Sequence, residues 1–147
     1  MALSTGEIID GKYRIIRELG SGAMGAVYEG ENTLIKRRVA IKVLLPAVAE
    51  KRDVVQRFER EAQAAGRIGS DHIVEVLDLG TLPDGGAYMV MEFLEGETLT
   101  ARIRSRGRLE PRQLVPIAQQ LLTGLEAAHD ARIIHRDLKP DNVFLVA

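Results

Sequence analysis

The chain has 147 residues, 46% of them hydrophobic and 28% charged, enough for a compact domain with its own core and too apolar to be disordered. Its 20 Lys+Arg against 21 Asp+Glu leave a formal net charge of −1, which excludes an overall basic field for nucleic acid or an anionic membrane. With no cysteine, disulfides, thiolate zinc sites and cysteine nucleophiles are excluded, and a cytoplasmic location is expected. The start, Met1-Ala2-Leu3-Ser4-Thr5-Gly6-Glu7, has neither the basic end nor the apolar run of a signal peptide. No stretch approaches the roughly 18 apolar residues of a membrane span.

Residues 1–12 read as an N-terminal extension. Three strands follow: Tyr13 to Leu19, Ala26 to Gly30, and Arg38 to Leu44. Between the first two, Gly20-Ser21-Gly22-Ala23-Met24-Gly25-Ala26-Val27 spells G-x-G-x-x-G-x-V. Glycines let a backbone turn tightly and approach phosphate oxygens with no Cβ in the way. Because these glycines join two strands, the context is a hairpin flap; a dinucleotide-binding turn would lead into a helix. In the third strand Ala40 and Lys42 alternate onto one face, Val39 and Ile41 onto the other. A lysine in line with a small alanine, beneath a glycine flap, suits a cation reaching phosphates beside a flat base.

Residues 50–68 predict a helix with an apolar stripe of Val54, Val55, Phe58, Ala62, Ala65 and Ile68. Glu61 falls about 50–60° from the centre of that stripe, while Glu59 points away. A carboxylate turned toward a core needs a partner, and Lys42 is the obvious one. Two more strands are predicted, Ile73 to Gly80 and Ala87 to Phe93, around a turn at Thr81 to Gly86. The apolar pattern breaks at Leu94-Glu95-Gly96-Glu97-Thr98, the expected hinge. There a flat base would pair with backbone groups of Glu92 and Leu94, with Met91 at the back of the pocket.

Helices then dominate, one around 98–106 and one around 111–130 whose face carries Leu114, Ile117, Leu121, Leu125 and Ala128. Pro111 suits a first helical position, but Pro116 would cost about 3 kcal/mol in an interior. A late start near Val115 or a kink is therefore expected. His72 and His129, near element ends, read as structural. Last comes His135-Arg136-Asp137-Leu138-Lys139-Pro140-Asp141-Asn142, set between the apolar runs Ile133-Ile134 and Val143 to Val146. An aspartate can accept a hydroxyl proton, a lysine two residues on can reach a phosphoryl group in flight, and an asparagine five residues on can offer its oxygen to Mg²⁺.

These pieces, in this order from Tyr13 to Leu145, resemble the eukaryotic-like Ser/Thr protein kinases of bacteria. The resemblance implies an α+β, two-lobed kinase fold. A five-stranded antiparallel sheet with one helix would occupy residues 13–94, and a hinge with a partial, mostly helical lobe would occupy 95–147. It implies transfer of the ATP γ-phosphoryl group to Ser/Thr hydroxyls of protein substrates, with ATP and Mg²⁺ as the bound species. In that scheme Gly20, Gly22 and Gly25 cover ATP, and Lys42, paired with Glu61, holds the α- and β-phosphates. Leu19, Val27, Ala40 and Phe144 sandwich adenine, next to Met91, Glu92 and Leu94. Asp137 is the catalytic base, Lys139 the cation near the γ-phosphate, and Asn142 a Mg²⁺ ligand. Lys139 marks serine/threonine specificity, and Arg136 marks control by activation-loop phosphorylation. The family's D-F-G aspartate, activation segment and remaining helices would lie beyond residue 147. The 147 residues are thus expected to be an incomplete kinase domain, inactive alone, with exposed lobe surface that promotes self-association. Two other readings share the architecture: a noncatalytic ATP-binding or regulatory fragment, and a small-molecule phosphotransferase. Lys139 and the full H-R-D-x-K-x-x-N spacing speak against the latter.

Overall fold

A computed structural model describes residues 3–22, 25–134 and 138–147. The chain divides into two compact units, residues 1–66 with 74–93, and residues 67–73 with 94–147.

The first unit is built on a six-stranded antiparallel sheet in the order β1-β2-β3-β4-β6-β5. The strands are β1 (Ile8–Ile9), β2 (Tyr13–Ser21), β3 (Gly25–Asn32), β4 (Arg38–Leu44), β5 (Val76–Thr81) and β6 (Ala87–Glu92). Five strands are expected from the sequence; the sixth, β1, lies in the expected N-terminal extension. Two residues are too few to show an alternation, yet β1 pairs with β2 and Ile9 is buried. The start of the fourth predicted strand also moves: β5 starts at Val76, because His72 and Ile73 pack against Gly124 in the second unit.

Alternation assigns the two faces of this sheet. Ile15, Tyr28, Val39, Ile41, Val43, Tyr88 and Val90 form one buried cluster, closed by Ile9 and Tyr13. Two aspartates anchor its aromatic rim: Tyr13 Oη donates to Asp78 at 2.7 Å, and the Tyr88 hydroxyl donates to Asp10. The opposite face carries Val27, Ala40, Lys42, Leu44, Met89 and Met91, matched across strands by register. Part of that face is covered by α2 (Arg52–Ile68), preceded by the single turn α1 (Pro46–Ala49). Phe58 and Ala62 of α2 are buried against Leu44, Ala87 and Met89, with Val54 beside them.

In the second unit, β7 (Gly96–Thr98) pairs antiparallel with β8 (Phe144–Val146), flanking α3 (Leu99–Arg106), α4 (Pro111–Asp130) and a 3₁₀ turn at Pro140–Asn142. Thr98 caps α3, its Oγ1 accepting from the Ala101 N–H at 3.0 Å. The late start near Val115 is not found: the helix begins at Pro111 and contains Pro116. Pro111 presets the first turn, and the Glu110 N–H donates to Gln113 Oε1 at 3.0 Å, which offsets the one backbone bond Pro116 withholds.

The α4 face of Leu114, Ile117, Leu121, Leu125 and Ala128, expected to be exposed lobe surface, is mostly covered, and only Leu114 of the five is exposed. Ala128 is buried, Ile117, Leu121 and Leu125 are half-buried, and the exposed apolar flank is Leu114, Val115 and Leu122. No helix among the described residues is long and apolar enough to cross a membrane.

Candidate functional site

Gly25 is demanded by the sheet. A Cβ there would lie 1.8 Å from the carbonyl oxygen of Val43, so β3 approaches β4 only with glycine at this position. Gly20 and Gly22 differ: a Cβ on either would meet nothing within 4 Å. The turn is closed by the Gly22 N–H donating to the Gly25 carbonyl at 2.8 Å. Two glycines that packing does not require, beside one that it does, leave open backbone for a ligand to approach. Ala23 and Met24 lie outside the described residues.

Lys42 stands opposite Val27 on β3 and Met89 on β6, and Ala40 stands opposite Met91. Directly opposed residues share a face, so Val27, Ala40, Met91 and Lys42 form one surface. Lys42 Nζ lies 3.9 Å from Glu61 Oε2 and 5.9 Å from the centre of the Phe58 ring. The carboxylate is not turned into a core, as expected from the stripe: its side chain is 59% exposed. α2 buries only Phe58 and Ala62, so a position flanking that stripe stays wet. Glu59 instead lines a cavity of about 280 Å³ with Val55, Phe58 and Leu79.

Leu19 lies in an irregularity of β2 between Glu18 and Gly20 and is 41% exposed. The Glu92 N–H donates to the Glu75 carbonyl at 3.0 Å.

The sequence reading passes over Glu29. It is buried, opposite Ala40 on β4 and Arg17 on β2, and both arginines nearby bond it: Arg17 Nε at 3.0 Å and Arg38 Nε at 3.2 Å. Burial pushes its carboxyl up, but hydrogen bonds from Arg38 and Arg17, with their charge, outweigh this and hold it below the usual carboxylate range. The signal was present: Glu29 has the parity of Val27, not that of the solvent.

In the second unit, Lys139 precedes the 3₁₀ turn that carries Asp141 and Asn142. The Asp141 carboxylate accepts from Thr100 Oγ1 at 2.5 Å, which directs it to α3. Phe144 opens β8 opposite Thr98, and the Leu99 N–H donates to the Val143 carbonyl at 2.8 Å. Leu94 begins the chain's second passage into this unit. Asp137, with His135 and Arg136, lies outside the described residues.

The first unit carries the glycine flap and the lysine–glutamate pair, the second carries the lysine-to-asparagine turn, and the protein kinase domain profile matches residues 13–147. The chain belongs to the protein kinase family. Among bacterial Ser/Thr kinases it is 44% identical over 138 residues to pkn2 of Myxococcus xanthus, covering 94% of this chain and 16% of that protein. It is 39% identical over 140 residues to PrkC of Bacillus subtilis, covering 95% of this chain and 22% of that protein. The crystal structure of the Mycobacterium tuberculosis PknI kinase domain superposes with a TM-score of 0.85 at 33% identity, over 99% of this chain and 60% of that one. The chain therefore has the α+β kinase fold and spans the N-terminal portion of a kinase domain, a fraction of its relatives' length.

Proposed function

We propose that this chain supplies the nucleotide-binding face and part of the catalytic loop of a kinase that transfers the γ-phosphoryl group of ATP to serine or threonine hydroxyls of proteins. The observation that carries the reading is the pairing of Lys42 with Glu61 on the face that also bears Val27, Ala40 and Met91. A cation held at one end of an apolar surface matches a nucleotide, apolar at its base and anionic at its phosphates.

In this reading Leu19, Val27, Ala40 and Phe144 contact adenine, and Met91, Glu92 and Leu94 border it. Gly20, Gly22 and Gly25 shape the flap over the phosphates, and Lys42 binds the α- and β-phosphates. Asp137 takes the proton of the substrate hydroxyl as its oxygen bonds to the γ-phosphorus and the bond to the β-phosphate oxygen breaks. Lys139 offsets the charge that collects on the moving phosphoryl group.

Mg²⁺ bound with the nucleotide would supply further charge neutralisation. Of the residues in the turn at Pro140–Asn142, Asn142 would hold it through its side-chain oxygen. Asp141 is held by Thr100, and among the described residues no group of three carboxylates or histidines gathers to hold a metal. Because Mg²⁺ usually takes at least one carboxylate, the 147 residues alone bind nucleotide weakly and do not complete the transfer. ATP is drawn from the cytoplasm, the compartment we assign.

Calorimetric titration with ATP and Mg²⁺ tests this. We expect saturable binding that Lys42→Ala weakens about 10-fold or more, the usual loss on removing a charge-assisted contact. No binding, or equal binding by the variant, contradicts it.

A further inference from the structure

Among the described residues Glu29 is the buried charged side chain, 5% exposed. Burying a carboxylate is costly, and a well-packed apolar residue is often as stable in such a place. Its position therefore calls for a reason other than stability. Both oxygens are engaged. Oε1 accepts from Arg17 Nε at 3.0 Å and from Arg38 Nη2 at 3.3 Å, and Oε2 accepts from Arg38 Nε at 3.2 Å.

Arg17 reaches this carboxylate only because β2 is irregular. Ile15 is opposite Gly30, on the buried aromatic face, and regular alternation would put Arg17 on that same face. The extra residue at Ile16 shifts the register, so that Arg17 comes opposite Glu29. From Arg17 the row continues through Glu29 and Ala40 to Met91, one residue from each of four strands. Arg38, two residues from Ala40, shares that face. Its guanidinium carbon lies 4.1 Å from the centre of the Phe93 ring, a stacked cation–π contact. Phe93 is the last residue before Leu94.

We propose that Glu29 is a positioning residue for the adenine end of the nucleotide site. It fixes the spacing of β2, β3 and β4 beside Ala40 and, through Arg38, the seat of Phe93 at the entry to the segment that pairs with the base. Lys42, two residues from Ala40 in the other direction, serves the phosphate end. The assignment rests on the nucleotide-binding reading above.

The test is the affinity of the full chain for adenosine and, separately, for inorganic tripolyphosphate. It compares the native protein with Glu29→Gln, which removes the charge at constant shape, and with Arg38→Lys, which keeps charge but loses the fork and the stack. Adenosine affinity is expected to fall about 10-fold in both variants, the size of coupling seen between residues of one network, with tripolyphosphate affinity unchanged. A folded Glu29→Gln protein that binds adenosine within about twofold of native overturns the inference and leaves the nucleotide reading intact. Equal losses for both ligands also overturn it, since that marks a general loosening of the sheet. Should circular dichroism show Glu29→Gln unfolded, Arg38→Lys decides by the same two affinities. Native protein that binds neither ligand overturns both readings together.

Discussion

Lys42 Nζ and Glu61 Oε2 face each other at 3.9 Å, with 44% and 59% of their side chains exposed. A pair this wet contributes about 0–1 kcal/mol to stability, so its value lies in orienting the lysine. Glu61→Gln should shift the unfolding free energy by less than about 1 kcal/mol while weakening ATP binding severalfold. Urea melts and a nucleotide titration on the same samples check this. A large stability loss without an affinity loss would contradict it.

The flap glycines should separate into two classes. Gly25→Ala places a methyl 1.8 Å from the Val43 carbonyl oxygen, so β3 and β4 must part, at a cost of about 2 kcal/mol or more. Gly20→Ala and Gly22→Ala meet nothing within 4 Å, so they should melt like the native protein and bind ATP less well. Thermal melts of the three variants give the ranking directly.

Tyr13 and Tyr88 should ionise late. Burial, then hydrogen bonds to Asp78 and Asp10 and the charge of those aspartates, raise both phenols well above their usual range. A raised value in the folded state means that the stabilisation is complete below the ordinary phenol range and is lost as pH rises beyond it. Phenolate absorbance followed with increasing pH should show these two rings ionising only as the fold is lost. A reversible ionisation of all three tyrosines near the ordinary value, with the fold intact, would disagree.

The exposed flank of α4 should drive self-association. Leu114, Val115 and Leu122 are 44%, 51% and 63% exposed and fall within an arc of about 100° on the helix. Light scattering should show association at high concentration that the double variant Val115→Ser, Leu122→Ser reduces. A monomer with no binding of a hydrophobic dye would contradict this.

Much of this molecule was legible in its residues because two periods did the sorting. Alternation put Ala40 and Lys42 on one face, and helical spacing set Glu61 beside the stripe that carries Phe58. What escaped was local or tertiary. β1 is only Ile8–Ile9, too short to alternate. The register shift at Ile16 breaks the parity on which a strand reading depends, so the Arg17–Glu29 contact could not be seen from spacing. Strand β5 loses its expected start because His72 and Ile73 pack on Gly124, a contact made 52 and 51 positions along the chain. Of the catalytic loop, Lys139 to Phe144 is placed by the turn and by β8, whereas Asp137 is assigned from the motif alone.

Radiolabelled ATP offered with Mg²⁺ and a generic basic protein acceptor, beside an Asp137→Asn control, tests the central claim most directly. The 147 residues should incorporate no label. A chain extended to a whole kinase domain should label serine or threonine and lose that labelling in the control. Asp137-dependent labelling by the 147 residues alone, or an extended chain that labels nothing, would contradict the account.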